Sequence, residues 1–282
     1  MLLSFTKMQG LGNDFIVFEA DADAAVPDSA TFRALADRRT GIGFDQALVL
    51  MPARDQHTDV FYRIFNADGS EVEQCGNGAR CIAALIAKKL GRKQVHLDSP
   101  GGRIDGVLRD DASVAIDMGI PNFDPAALPF DASREADVYP LRVGETELQI
   151  GAVSMGNPHA VLQVANVAEA DVQGLGPAIE THTRFPNRVN VGFMQVVAPN
   201  HIRLRVFERG VGETQACGTG ACAAVAVGRR LGLLEDDVKV SVPGGEMSVK
   251  WEGPGEHLWL IGPATTVFEG SVDTGSFRRN KA

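Results

Sequence analysis

Residues 63–79 read RIFNADGSEVEQCGNGA, and residues 205–221 read RVFERGVGETQACGTGA. Aligned without gaps at an offset of 142 residues, they share Arg, Phe, Glu, Cys, two Gly and Ala, seven of seventeen positions. Unrelated stretches of ordinary composition would share about one or two. The echo continues outward. Lys88-Lys89-Leu90-Gly91 answers Arg229-Arg230-Leu231-Gly232, and Pro100-Gly101-Gly102 answers Pro243-Gly244-Gly245. Upstream, Gly12-Asn13-Asp14 answers Gly156-Asn157-Pro158 at an offset of 144, which also sets Gln46 opposite Asn190. One repetition at half the chain length is a duplicated domain, since solenoid repeats have periods of about 20–50 residues.

Each half alternates strand and helix signals. Phe61–Phe65 is aromatic and apolar, a strand by composition, and short strands are expected at 95–97, 114–117, 238–242 and 247–251. From Ala79 the chain turns to strong helix formers closed by Lys and Gly, and from Ala221 to a helix that is apolar nearly all round. Such helices bury themselves against a surrounding sheet. The expected fold class is α/β (α+β): two similar pseudo-symmetric domains, each a mixed, mostly antiparallel sheet wrapped around a central apolar helix. The stretch Gly119–Pro125 suits a connector, which divides the chain into 1–118 and 119–262. The tail Ser276–Ala282 is polar and basic and is expected to fray.

Composition narrows the function. With 27 basic and 36 acidic side chains in 282 residues, the net charge of −9 argues against a nucleic-acid-binding face. No run of about 18 apolar residues exists to span a membrane. The N-terminal stretch MLLSFTK has no basic head followed by an apolar segment, and four cysteines in this length make no disulfide scaffold. The expected setting is a reducing cytoplasm.

Cys75 and Cys217 each follow a strand and turn and precede a helix, within CGNG and CGTG. A helix mouth presents unpaired N–H groups and a positive dipole end. It is expected to pull a thiol below its free pKa of about 8.5 and to welcome a carboxylate or developing negative charge. Cys81 and Cys222, inside the helices, read as small buried hydrophobes. Two thiols at equivalent helix mouths suit an acid/base pair that takes a proton from one face of a carbon and returns it to the other, which is racemisation or epimerisation. A duplicated structural domain, a racemase acting on proline or hydroxyproline, and a redox-sensing thiol protein are the alternatives.

Paired amides, Asn13 with Asn157 and Gln46 with Asn190, suit the ammonium and carboxylate of an amino acid. Asymmetry marks the second half, where Glu208 replaces Asn66 and Arg209 replaces Ala67. That adjacent pair is a candidate for a second ammonium and a second carboxylate. His159 stands where the first half has Phe15, a one-sided candidate proton relay.

These blocks together carry a resemblance. KMQGLGNDF (7–15), FNADGS (65–70), CGNGARC (75–81), GNPH (156–159), FERGVGET (207–214) and ACGTG (216–220) resemble the diaminopimelate epimerase family along essentially the whole chain. The resemblance implies interconversion of LL- and meso-2,6-diaminopimelate without pyridoxal phosphate or metal, for lysine and peptidoglycan precursor synthesis. It makes Cys217 the base and Cys75 the acid in the LL-to-meso direction, with His159 and Glu208 assisting the thiols. It assigns substrate contacts to Asn13, Gln46, Asn66, Gly76, Asn77, Asn157, Asn190, Glu208, Arg209, Gly218 and Thr219. It also implies a homodimer, with residues 263–282 packing back on the first domain and Phe268 standing where the family often has an aromatic hydroxyl.

Overall fold

A computed structural model of the chain describes residues 2–72 and 75–275. The expected frayed tail lies outside the described residues. The elements run β1 (Leu2–Gly10), β2 (Asn13–Glu19), α1 (Ser29–Ala36), β3 (Gln46–Met51), β4 (Val60–Asn66), β5 (Glu71–Val72), α2 (Gly76–Leu90), β6 (Gln94–Ser99), β7 (Gly102–Leu108) and β8 (Val114–Asp117). There follow β9 (Tyr139–Val143), β10 (Thr146–Ser154), β11 (Pro158–Gln163), α3 (Val172–Glu180), β12 (Asn190–Ala198), β13 (His201–Glu208) and β14 (Gly212–Thr214). The chain closes with α4 (Gly218–Arg230), β15 (Asp237–Val242), β16 (Gly245–Lys250), β17 (Trp259–Gly262) and β18 (Thr265–Asp273).

The chain divides into two compact units. One runs to Ile116 and takes in the chain again from Gly262; the other is Asp117–Ile261. In the first, the strands pair in the order β18-β1-β2-β3-β4-β6-β7-β8, parallel between β2 and β3 and between β4 and β6, antiparallel elsewhere. In the second, β9-β10-β11-β12-β13-β15-β16-β17 repeats that pattern, parallel between β11 and β12 and between β13 and β15. The outermost strand differs in origin. The second unit takes β9 from its own beginning, whereas the first takes β18 from the far end of the chain, in register with β1 from Leu2↔Asp273 onward.

Each unit buries one helix against its sheet. Nine of the fifteen residues of α2 and eleven of the thirteen of α4 are buried, which is why their sequences carry Ala, Val and Gly where a surface helix would carry charge. Close approach depends on small residues. A Cβ placed on Gly151 of β10 would stand 2.3 Å from Val227 Cγ1 of α4, and one on Gly106 of β7 would stand 2.8 Å from Ala83 Cβ of α2. Satellite helices α1 and α3 pack outside the sheets. Phe32 stacks on Phe65 with ring centroids 4.7 Å apart in the first unit, and Ile179 enters the cluster of Leu141, Phe185, Val191 and Phe207 in the second. Residues 119–125 are held by the sheet of the second unit, where Asn122 bridges Ser154 through both backbone hydrogen bonds and the Gly119 carbonyl accepts the Leu258 N–H at 2.9 Å.

The packing sets an expectation for two glycines of the same unit. Gly151→Ala overpacks the α4 contact and is expected to cost about 1–3 kcal/mol. At Gly192, where a Cβ meets its first neighbour at 3.6 Å, alanine is expected to be tolerated. Thermal unfolding checks this, with a midpoint shift of about 2–4 °C per kcal/mol expected only for Gly151→Ala.

Candidate active site

The helix that follows each cysteine begins three residues earlier than helix propensity alone suggests, at Gly76 and Gly218, because the cysteine is itself the capping residue. Cys75 Sγ accepts from the Gly78 N–H at 3.4 Å, and Cys217 Sγ accepts from the Gly220 N–H at 3.4 Å. The cysteine carbonyls accept from Ala79 and Ala221 at 2.8 and 3.0 Å, closing the first turn of each helix. A Cβ on Gly220 would lie 3.2 Å from its own capping sulfur and 2.9 Å from Val206 Cγ2, so glycine is required there for the sulfur to sit over the helix end.

In the first unit Cys75 is surrounded by oriented amides. Its thiol donates to Asn13 Oδ1 at 3.8 Å, and Asn77 Nδ2 donates to the same oxygen at 3.4 Å. Asn13 Nδ2 donates to Asp45 Oδ2 at 2.9 Å, and Asn77 Oδ1 accepts from Nη2 of fully buried Arg80 at 2.7 Å. Gln46 lies opposite Asn66 in the β3–β4 pairing, and its Nε2 donates to Asn66 Oδ1 at 3.0 Å. Its Oε1 is buried with no hydrogen-bond partner among the described residues, an acceptor suited to an ammonium group.

The supporting ion pairs were not anticipated from sequence. Arg38 bridges Asp14 and Asp45, each at 2.7 Å, and Lys7 reaches Asp14 at 2.5 Å and the Gly43 carbonyl. Burial pushes the Asp14 carboxyl upward, yet the hydrogen bonds and charges of Arg38 and Lys7 outweigh it and hold the group at about 2. Asp14 sits inside a quoted motif. Arg38 and Asp45 do not, and only the tertiary pairing of β2 with β3 brings them together.

The second unit places its site residues at the same strand positions with different chemistry. Phe15 pairs with Gln46 across the parallel strands of the first unit, and His159 pairs with Asn190 across those of the second. Asn190 Nδ2 donates to the Pro158 carbonyl at 3.0 Å, and its Oδ1 accepts the Arg209 N–H at 3.0 Å. Thr219 Oγ1 lies 3.6 Å from Cys217 Sγ and accepts from Asn157 Nδ2 at 3.4 Å, while His159 Nε2 lies 2.9 Å from Asn157 Oδ1. His159 therefore meets Asn157 rather than the thiol.

Glu208 and Arg209 diverge. The Glu208 carboxyl turns to the Cys217 thiol, with which it hydrogen-bonds, and accepts from Thr214 Oγ1 at 2.5 Å. The Arg209 guanidinium donates to the Asn187 carbonyl at 3.2 Å. Glu208 thus stands at the sulfur, and Arg209 does not.

Electrostatics overturn one expectation. Burial pushes the Cys217 thiol well above its ordinary range, the Glu208 charge pushes it further, and the Thr219 and Gly220 hydrogen bonds only partly oppose them. A helix dipole contributes about 0.3–1 kcal/mol, up to about 2 in favourable buried sites. Full burial moves a pKa by as much as about 3–5 units, equivalent to several kcal/mol. Desolvation wins, so Cys217 is a thiol here. Burial also raises the Glu208 carboxyl, against the hydrogen bonds from Thr214 and Cys217. His159, fully enclosed and near Arg209, is lowered to about 3 and is neutral at physiological pH. Near the other sulfur, burial raises the Tyr62 phenol and Cys75 raises it further, a neighbour not anticipated from sequence.

The topology of the two units defines a class of fold shared with solved structures. Hydroxyproline epimerase from Agrobacterium vitis superposes with a TM-score of 0.68 at 17% identity, covering 96% of this chain and 92% of that one. A PhzF-family phenazine biosynthesis protein from Bacillus anthracis superposes with a TM-score of 0.67 at 16% identity, covering 97% and 99%. At that identity the likeness concerns the fold alone. The chain itself belongs to the diaminopimelate epimerase family, whose model matches residues 5–123 and 151–267. A diaminopimelate epimerase from Alkalilimnicola ehrlichii is 52% identical over 276 residues, 96% of this chain and 99% of the relative.

Because His159 takes up a proton far less readily folded than unfolded, the stability it contributes is full above about pH 6.5 and declines as pH falls toward about 3. His159→Asn is expected to remove up to about 1.4 kcal/mol per pH unit from the slope of unfolding free energy between pH 6 and about pH 4. Denaturant titrations across that range check it, and parallel slopes would contradict a buried neutral imidazole.

Proposed function

We propose that the chain interconverts LL- and meso-2,6-diaminopimelate by moving the α-proton between two cysteines, without a cofactor or metal ion. The observation that carries this reading is one arrangement repeated in two units: a cysteine sulfur at the mouth of the buried helix, accepting from the N–H three residues on at 3.4 Å. Membership of the family and the near full-length relative support the same reaction.

The chemistry follows from what surrounds each sulfur. An amino acid α-proton is a poor acid, so charge must be received by the substrate carboxylate as the proton leaves. N–H groups of the first helical turns, those of Gly76 and Gly218 among them, are suited to that carboxylate. Preorganised donors of this kind contribute about 3–4 kcal/mol each in comparable sites. Asn13, Asn66, Asn77, Asn157, Asn190 and Thr219 supply the neutral contacts, Gln46 Oε1 accepts from an ammonium, and Arg209 holds the distal carboxylate. For the LL substrate, Cys217 first passes its proton to the carboxylate of Glu208. The thiolate so formed takes the α-proton, and the Cys75 thiol delivers its own to the opposite face. The meso-to-LL direction is the reverse: the Cys75 thiolate takes the α-proton, the Cys217 thiol delivers its own to the opposite face, and Glu208 returns the proton it holds to Cys217. His159 acts through Asn157 and Thr219, as a fixed neutral dipole that orients both.

The setting that suits this reaction is the cytoplasm; no helix among the described residues is long and apolar enough to cross a membrane. A homodimer is supported by the exposed apolar side chains of Leu2, Val267 and Phe268 on the neighbouring strands β1 and β18.

Purified reduced protein is expected to convert LL- to meso-diaminopimelate with no added cofactor and to leave L-proline and hydroxyproline unchanged. Cys75→Ala and Cys217→Ala are each expected to lower turnover by at least about 10²–10⁴-fold, the range attributed to a positioned acid or base. Chiral chromatography of the products decides it, and substantial turnover in either variant would overturn the two-cysteine scheme.

A further inference from the structure

Glu180, the last residue of α3, is a buried carboxylate that the reaction above does not use. Its side chain is 8% exposed, and it points at backbone. Oε1 accepts the Gly210 N–H at 2.7 Å and lies 3.5 Å from Nη1 of the largely exposed Arg188. Gly210, at φ +75°, is the pivot of the turn between β13 and β14, which carries Glu208 and Arg209. The same turn is held from a second side, where Asn190 Oδ1 accepts the Arg209 N–H at 3.0 Å. The Glu180 carbonyl also accepts the Val189 N–H at 3.2 Å, so one residue ties the segment leading into Asn190 to the turn leading out of Glu208.

We infer that Glu180 is a positioning residue of the Cys217 half-site: by holding the Gly210 turn it keeps the Glu208 carboxyl against the thiol. The inference rests on the roles given above to Cys217 and Glu208. Those two groups are bonded directly, and Glu208 is two residues from the anchored N–H, so slack in the turn is transmitted to the carboxyl. The groups facing Cys217 are Glu208 from β13 and the Thr219 hydroxyl and Gly220 N–H from α4, with His159 of β11 and Arg209 behind them. Displacing Glu208 removes the one charge that raises this thiol.

Two substitutions separate reach from charge. Glu180→Gln keeps an acceptor oxygen at the same distance and loses the charge, of which the exposed Arg188 makes little use. Glu180→Asp keeps the charge and withdraws the acceptor by about one carbon–carbon bond, beyond hydrogen-bond range of Gly210. Iodoacetamide alkylation of the full chain is followed by peptide mass spectrometry across pH, with Cys75 in the same sample as the internal reference. In Glu180→Asp, Cys217 is expected to alkylate at lower pH, roughly tenfold faster near neutrality, with Cys75 unchanged. The epimerase kcat is expected to fall about tenfold in the same variant. Glu180→Gln is expected to match the native chain within about threefold in both readouts. Equal behaviour of the two variants, or loss in Gln with retention in Asp, would overturn the inference. The alkylation result stands whether or not diaminopimelate is the substrate, so failure of the inference and failure of the proposed reaction are distinguishable.

Discussion

The sulfur that caps a buried helix is the contact on which both units depend. An α-helix enclosed by a sheet leaves its first N–H groups without water, and each unsatisfied group would cost about 1–3 kcal/mol. Cys75 and Cys217 satisfy one of these donors, that of the third helical residue, and in doing so put a thiol at the positive end of the helix. The glycine beneath Cys217 follows from the same constraint, since a Cβ at Gly220 would crowd both Val206 and the sulfur that caps the helix. Packing and chemistry are therefore one arrangement here. The small residues that let α2 and α4 sit deep in their sheets are also what brings the helix mouth within reach of a ligand.

On this common frame the two halves diverge. Around Cys75 the neighbours are amides whose directions are fixed at the ends, by a guanidinium that only donates and a carboxylate paired with Arg38. Around Cys217 they are a carboxyl, a hydroxyl and, one residue removed, a neutral imidazole. Burial first, and the Glu208 charge beside it, hold the proton on Cys217, which explains why the dipole of α4 does not make it a thiolate in this form. A symmetric proton shift needs two faces, but discrimination between the two ends of one substrate needs them to be unequal. In the proposed reaction, the differences at Asn66/Glu208 and Phe15/His159 would supply that inequality, and they leave strand register unaltered.

Most of the frame was legible in the sequence because a duplication prints the same restraints twice. The seven shared positions around the two cysteines lie on paired strands and helix mouths, and the strand pairing of one unit maps onto the other almost strand for strand. Helix starts were read three residues late, since Gly-Asn-Gly and Gly-Thr-Gly look like loop until the capping sulfur is seen. What the text of the sequence did not yield was long-range. Arg38 and Asp45 meet Asp14 only through strand pairing, and Tyr62 feels the charge of Cys75 from a different element of the fold. The residues alone offer Glu208 for a distal ammonium, whereas its carboxyl hydrogen-bonds the thiol, as the family resemblance implies. The raised pKa of Cys217 is hidden from the sequence for the same reason, because a dipole can be inferred from local sequence and burial cannot.

The central claim, two thiols delivering to opposite faces of one carbon, is tested most directly by the early fate of solvent hydrogen. LL-diaminopimelate is incubated with the reduced enzyme in deuterium oxide and quenched after a few per cent of conversion. The account requires meso product carrying deuterium at the inverted carbon while the remaining LL substrate carries none. Product that retains the original hydrogen, as a single base returning its own proton would give, would contradict it.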